Sequence, residues 1–321
     1  MRKFCKVSLI ASAIHIGIGA VLFSAVSACS VNAEEMKVTL IGTGTPVPQP
    51  GINGPATLVQ VNGTELLFDA GRGVVSGLTR AGVRPGGVDA VFITHLHSDH
   101  VTGLPDLLLT GWLTYPGGLR KNPLPIYGPE GVRELETHIP SAFASDIRLR
   151  EGSVPVSAEG KNLKAMPFLE PGIVYDKDGV TVAAFPVIHG NATGEAFGYR
   201  VNYGDMSVTI SGDTTVSEAL IEAARGTDLL VHEVFAANAE VSETPVAKVI
   251  AKLHVTPEQA AEVFRKTKPK MAVFTHVVQL PPNPPSREEI LERATALYEG
   301  PLMMGEDGMT FIVKPGDVVV E

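Results

Sequence analysis

The sequence predicts an α+β fold of four layers, an αββα sandwich with its functional site along one sheet edge. Three observations predict it: short apolar β-like runs fill two separate stretches of the chain, helical patterns are interleaved between them, and polar residues recur where the apolar runs end. No repeat of solenoid period interrupts this pattern.

Each element follows in order. Runs over residues 38–41, 56–61 and 66–68 read as strands, and Asn62-Gly63 between the last two is a two-residue hairpin signal. A helical stretch over 73–81 ends before the Pro85-Gly86-Gly87 break, and the apolar strand 90–93 follows. The middle gives a helix over 104–114, a strand over 124–127 and a helix over 130–142. Strands are then expected over 180–188, 197–203 and 206–210, the last two joined by Gly204-Asp205. Thr256-Pro257-Glu258-Gln259 and Ser286-Arg287-Glu288-Glu289 have the form of capping boxes and start two helices. Between them 271–274 is a buried strand ending at Thr275-His276, and 229–231 ends similarly at His232-Glu233.

Ahead of these elements, residues 1–33 hold no acid. Arg2, Lys3 and Lys6 precede an apolar run over 7–26 and the small residues Ser27-Ala28-Cys29-Ser30, the layout of a secretory signal peptide. Val31-Asn32-Ala33 offers a cleavage site before Glu34, the favoured route, while Val26-Ser27-Ala28-Cys29 resembles a lipobox with Cys29 as the lipidated residue. A retained anchor competes poorly, because the stretch is at the short end of spanning length and contains His15 with several Gly and Ser. The expected organisation is a leader over 1–33 and one domain over 34–321, periplasmic or secreted, and anchored to a membrane only if Cys29 carries lipid.

Both cysteines of the chain, Cys5 and Cys29, lie in that leader, so the expected domain has no disulfide and no thiolate for a metal. Loss of the leader removes three basic residues and no acid, taking the net charge from −9 to −12. Such a surface repels phosphate backbones unless positive charge is concentrated locally, and the sequence shows no basic cluster. Nucleic acid is therefore not an expected partner.

The chemistry is concentrated after the strand at 90–93. His95, His97, Asp99 and His100 fall within six residues, where the sheet fixes the loop and alternate side chains can converge on one point. Three imidazoles and a carboxylate suit Zn²⁺, and the same set admits Mn²⁺ or Fe²⁺. A lone histidine is usually structural, but His189, His232, His254 and His276 also sit at or near predicted strand ends or helix starts. Only His138, inside a predicted helix, is incidental. Asp213, in Ser211-Gly212-Asp213-Thr214, follows an apolar strand, where a carboxylate can bridge two ions.

His95-x-His97-x-Asp99-His100, followed in order by His189, Asp213 and His276, resembles the signature of the metallo-β-lactamase superfamily over nearly the whole expected domain. The resemblance implies two Zn²⁺ per chain: His95, His97 and His189 on the first, Asp99, His100 and His276 on the second, and Asp213 between them. Branches with a cysteine ligand are excluded. Gly42-Thr43-Gly44-Thr45-Pro46, Leu67-Phe68-Asp69-Ala70-Gly71, Ser211-Gly212-Asp213-Thr214 and Val231-His232-Glu233 resemble the branch that holds tRNase Z and the arylsulfatases of this fold. Taken alone, the Gly-Thr-Gly segment reads as a tight turn. Asp69 is expected behind a metal-bound imidazole rather than on the metal.

Such a site implies hydrolysis of a phosphoryl or sulfuryl ester, with His232 and His254 as the candidate proton donors to the leaving oxygen and Asp99 as a further catalytic candidate. Export, acidity and the absence of an extended basic or Gly-rich arm argue against tRNA. Asp69-Ala70-Gly71-Arg72-Gly73, Leu104-Pro105-Asp106-Leu107-Leu108 and Phe197-Gly198-Tyr199-Arg200 resemble exported arylsulfatases of the superfamily, so a small anionic ester, a sulfate ester first, is the expected substrate. A phosphodiester, a lactone or another ester is the alternative. A non-catalytic metal-binding envelope protein is the alternative of another class, which the intact ligand set disfavours. Trp112, Tyr115 and Phe168 are candidates for an apolar wall and Arg72 and Arg200 for anion contacts, although core packing and ordinary surface roles compete for all five. Relatives in the family are commonly homodimers.

Overall fold

The computed structural model describes residues 35–190 and 196–321. The expected leader, with Cys5, His15, Cys29 and the cleavage site at Ala33, lies outside the described residues. From Ala33 onward the chain forms one unit.

Its strands are β1 (Met36–Gly42), β2 (Ala56–Val61), β3 (Thr64–Phe68), β4 (Ala90–Phe92), β5 (Leu124–Gly128), β6 (Leu163–Pro167), β7 (Gly172–Lys177), β8 (Val180–Pro186), β9 (Phe197–Tyr203), β10 (Met206–Ile210), β11 (Leu229–Ala236), β12 (Met271–Gln279), β13 (Leu302–Met304), β14 (Thr310–Lys314) and β15 (Asp317–Val320). They form two sheets, ordered β15-β14-β1-β2-β3-β4-β5-β6 and β13-β12-β11-β10-β9-β8-β7. The helices are α1 (Val74–Arg80), α2 (Ser98–Val101), α3 (Leu104–Trp112), α4 (Val132–Ala142), α5 (Ala144–Glu151), α6 (Glu218–Ala223), α7 (Ala239–Ser242), α8 (Pro245–Ile250), α9 (Pro257–Thr267) and α10 (Arg287–Thr295).

Side-chain alternation builds the layers. Along β8, Val180, Val182 and Ala184 enter the cluster between the sheets, while Phe185 and Val187 beyond them turn to a second cluster with Leu220, Ala260, Phe264 and Ile290 of α6, α9 and α10. On the other flank, Val74, Leu78, Leu104, Leu107 and Val132 of α1, α3 and α4 pack on Leu58, Leu67, Val91 and Ile126. The result is the αββα sandwich.

Local chemistry sets the connections. Val61 pairs with Thr64 around Asn62 and Gly63, whose φ values of 49° and 73° give the right-twisted hairpin turn that Asn-Gly favours. Both capping boxes form, at Thr256 with Gln259 and at Ser286 with Glu289. At the site end the sheets are pinned together, because the Tyr199 hydroxyl donates to the Ile93 carbonyl (2.6 Å) and the Phe197 N–H to the Thr94 carbonyl (2.9 Å).

Two expected strand ends are not ends. β11 runs on through His232-Glu233, and β12 runs on through His276. Glu233 pairs with Thr275 and Val234 with Val277, so His276 is the extra residue of a β-bulge, with φ of 42°. In regular alternation His276 would share the helix-facing side of Ala272 and Phe274. The bulge turns it to the site.

Candidate metal centre

β4 delivers the chain into a cluster organised by Thr94 and Asp69. The Thr94 N–H donates to Asp69 Oδ1 (2.8 Å) and its hydroxyl to Asp69 Oδ2 (2.9 Å). Asp69, held in the left-handed region at φ 61°, places Oδ2 2.8 Å from His100 Nδ1. That contact keeps a proton on Nδ1, so that Nε2, which faces inward, is the nitrogen a cation would take. His189 is oriented the same way, its Nδ1–H donating to the Leu253 carbonyl (3.0 Å).

Two donor sets meet at Asp213. In the first, His97 Nδ1 lies 2.9 Å from His95 Nε2 and 3.1 Å from His189 Nε2, and Asp213 Oδ2 lies 4.0 Å and 3.8 Å from those same two Nε2 atoms. In the second, Asp99 Oδ2 lies 3.5 Å from His100 Nε2 and 3.2 Å from His276 Nε2, with Asp213 Oδ2 at 3.5 Å and 3.4 Å from the same nitrogens. Donors about 2.0–2.1 Å from a tetrahedral zinc stand about 3.3 Å apart, the spacing both sets bracket. His100 Nε2 is buried without a hydrogen-bond partner, an orphan that a cation satisfies. The residues therefore fit two zinc ions, and Asp213 Oδ2 is the atom common to both sets.

The electrostatics agree with that chemistry. Burial, then the neighbouring charge of His100, pushes His95 well below the usual imidazole range, so it offers a lone pair. Burial works against the Asp213 carboxylate, yet His276 and His100 hold it well below the usual range and keep it ionised. Burial likewise opposes charge on His100, and Asp69 followed by Asp213 lifts it well above 6.5 in the absence of an ion.

Beside the cluster lies a buried pair, with Glu233 Oε2 3.2 Å from His254 Nδ1. Glu233 Oε1 accepts from the N–H groups of Val255 (3.1 Å) and Thr214 (3.3 Å), which fix the carboxylate. The His254 ring stands 5.1 Å from the His189 ring and 5.7 Å from the His276 ring. Burial disfavours its charge, but Glu233 outweighs burial and holds His254 at about 9.

All seven expected ligands, His95, His97, Asp99, His100, His189, Asp213 and His276, are gathered here, and His254 borders them. His232 is not. It shares the side of Leu230 on β11, is fully buried 5.5 Å from the Phe264 ring, and donates Nδ1–H to the Glu233 carbonyl (2.7 Å). Its neighbour Glu233, one residue on and therefore on the opposite side, faces the site; strand alternation through His232-Glu233 was the available signal. The expected apolar wall does not form either. Trp112 is buried and donates to the Ser157 carbonyl, Tyr115 is exposed beside Gly117, and Phe168, partly buried, packs against Phe197 and Tyr199 of the core. Arg200 is committed to the Ala223 and Arg225 carbonyls, and Arg72 to the Thr45 and Val47 carbonyls.

A family model described as "Beta-lactamase superfamily domain" matches residues 64–277. The chain belongs to this superfamily. Ribonuclease Z of Mycobacterium sp. (strain KMS) is 35% identical over 288 residues, spanning 88% of this chain and 97% of that protein. Among solved structures, the metallo-β-lactamase fold protein YhfI from Bacillus subtilis superimposes with a TM-score of 0.64 at 20% identity, over 87% of this chain and 99% of that one. The short form of human tRNase Z gives 0.63 at 24% identity, over 85% and 98%. At that identity the two structures carry the fold alone.

As a superfamily member this chain is a metal-dependent hydrolase, and its His and Asp clusters are suited to zinc. The finer resemblance to arylsulfatases finds no support in these relatives. The expectation of no nucleic-acid partner is overturned: a relative matched over nearly its full length is a ribonuclease. Net charge is a poor guide to partners because it averages the whole surface, whereas the potential at the cluster is set locally, and bound dications there would outweigh the carboxylates of Asp99 and Asp213.

Proposed function

We propose that this chain is an exported two-zinc phosphodiesterase that cuts RNA. Identity of 35% to ribonuclease Z, over 97% of that protein, supports the substrate class. The observation that carries the reading is the buried Glu233–His254 pair beside the metal cluster. An aryl oxide leaves a sulfate ester readily without a proton. A ribose oxygen is a much stronger base and needs an acid at the moment of cleavage, which a histidine held charged at neutral pH supplies.

In this reading His95, His97 and His189 hold one ion, Asp99, His100 and His276 the other, and Asp213 both. When bound, the ions lower the pKa of water toward neutrality and polarise the phosphoryl oxygens. Asp69 and Leu253 keep the imidazoles of His100 and His189 in the tautomer that points Nε2 inward. Asp99 Oδ1 enters none of the described hydrogen bonds, and we assign it as acceptor of the attacking water's proton. His254, anchored through Nδ1 to Glu233, presents Nε2 to the leaving oxygen. His232 takes no part. The leader over 1–33 supports export, with lipidation at Cys29 as the alternative, so the RNA is met outside the cytosol.

The test uses zinc-loaded enzyme purified from the periplasmic fraction of expressing cells; its absence there overturns the export proposal. An oligoribonucleotide, bis-p-nitrophenyl phosphate and p-nitrophenyl sulfate are the substrates. We expect both phosphodiesters to be cut, and His254→Ala to slow the oligoribonucleotide by about 10²–10⁴-fold while the p-nitrophenyl diester, whose leaving group needs no proton, loses far less. Sulfate turnover without phosphodiester turnover overturns the reading, and equal losses on both phosphodiesters remove His254 as the acid.

A further inference from the structure

We propose that Asp307 is a positioning residue for one of the two ions: it fixes the loop on which Asp99 and His276 are seated, leaving the His95, His97 and His189 set independent of it. The inference rests on the assignment of two ions to the cluster.

The loop over residues 43–54 joins β1 to β2, and one carboxylate ties both of its ends. Asp307 Oδ1 accepts from the Thr43 N–H and the Thr43 hydroxyl, each at 2.9 Å, and Oδ2 accepts from the Asn53 N–H at 2.7 Å. These are charge-assisted bonds to a side chain only 9% exposed, with Arg80 at 3.8 Å as its single cation among the described ion pairs. Asn53 closes the loop from inside: its carbonyl accepts from the Gly44 N–H (2.8 Å), and its Nδ2 donates to the Ile41 carbonyl (3.0 Å). Asp307 itself sits on a pinned segment, between Gly305, whose N–H donates to the Phe274 carbonyl, and Gly308, whose N–H donates to the Leu40 carbonyl.

From this loop two lines of contact lead to the second donor set. The residue after Asn53, Gly54, is stacked backbone to backbone on Gly71, which lies against Asp99. A Cβ built on Gly71 would come within 2.5 Å of the Gly54 carbonyl carbon and 2.6 Å of the Asp99 carbonyl oxygen, so the stack has no slack. The Thr43 carbonyl accepts from the N–H of Val277, the residue that follows His276 in the bulge (3.4 Å). The Gly-Thr-Gly segment is thus a close-approach surface rather than only a turn. No described hydrogen bond joins this loop to His95, His97 or His189; Thr94 holds His95 and the Leu253 carbonyl holds His189 instead.

Loss of outer groups that orient metal ligands typically weakens metal affinity by about 10–100-fold. Asp307→Ala and Asp307→Asn are compared with wild type by titrating zinc into metal-free protein against a chromophoric chelator, with circular dichroism to confirm folding. Glu258→Ala, which breaks a bidentate pair with Arg293 between α9 and α10, controls for general destabilisation. We expect wild type and Glu258→Ala to bind two ions, and Asp307→Ala to keep one at wild-type affinity while the other weakens at least about tenfold. Asp307→Asn, which retains an acceptor for Thr43 but not for Asn53, is expected to fall between, and it carries the test if Asp307→Ala does not fold. Two ions bound as in wild type, or both weakened alike, overturns the proposal. Fewer than two ions on wild type overturns the two-ion assignment itself.

Discussion

His232 and Glu233, adjacent on one strand, divide the chemistry between two sides of the sheet. Glu233 pairs with His254, the proposed proton donor, while His232 is a core histidine whose burial pushes it down to about 4. Its consequence is for stability. An unfolded chain protonates this imidazole near 6.5, whereas the folded chain resists until about 4, so the unfolded state binds the extra proton over that window. The stabilisation is present above pH 6.5 and is lost as pH falls toward 4. Between pH 7.5 and 5.0 this one group removes about 2 kcal/mol. His232→Gln keeps a donor for the Glu233 carbonyl and cannot titrate. Urea unfolding of both proteins at the two pH values should show wild type losing about 2 kcal/mol more than the variant, since loss of metal with acid is common to both. Equal losses would place this imidazole in contact with water.

At the scale of elements, the parts legible in the sequence were those whose signal is local. The Asn62-Gly63 turn, both capping boxes and the strands from Ala90 to Phe92 and from Met206 to Ile210 depend on neighbouring residues. β7 and β15 were missed because they are exposed edge strands without apolar alternation, and α7 and α8 because four and six residues do not establish a helical period. The candidate metal ligands were legible as residue types in order, but not the device that aims His276, since a bulge is defined only by its partner strand. Asp307 and Thr94 gave no signal, because their partners lie elsewhere in the chain. The pin between the sheets belongs to the same class. Tyr199→Phe deletes the hydroxyl that β9 donates to the Ile93 carbonyl, leaving a buried acceptor unpaired two residues before His95. We expect about 1–3 kcal/mol of lost stability, measured by denaturant unfolding, together with weaker zinc binding. A variant as stable as wild type would mean that packing and the Phe197–Thr94 hydrogen bond hold the two sheets at this end without the Tyr199 hydroxyl.

For the whole molecule, the sandwich and the zinc centre are interdependent. Its three apolar clusters close without cysteine, since neither Cys5 nor Cys29 lies in the described domain, and the site end is built from imidazoles and carboxylates, most of them buried, drawn from α2, β12 and the loops after β4, β8 and β10. Without cations that end keeps the Asp99 and Asp213 carboxylates buried next to each other, and the orphaned His100 Nε2, at a cost the packing must absorb. Ions that bind only the folded chain stabilise it by about 4 kcal/mol each when present at about 1,000 times their dissociation constant. Two such ions contribute about 8 kcal/mol, comparable with the whole stability of an ordinary domain. At about 2 °C per kcal/mol for a chain of this size, removal of zinc should lower the midpoint of thermal unfolding by roughly 15 °C. Scanning calorimetry before and after dialysis against chelator, with metal content measured on the same samples, tests this, and zinc added back should restore the midpoint. A metal-free chain that melts where the loaded one does would mean that the ions bind too weakly to matter or bind the unfolded chain as well as the folded one, and would overturn zinc as a source of stability for the fold.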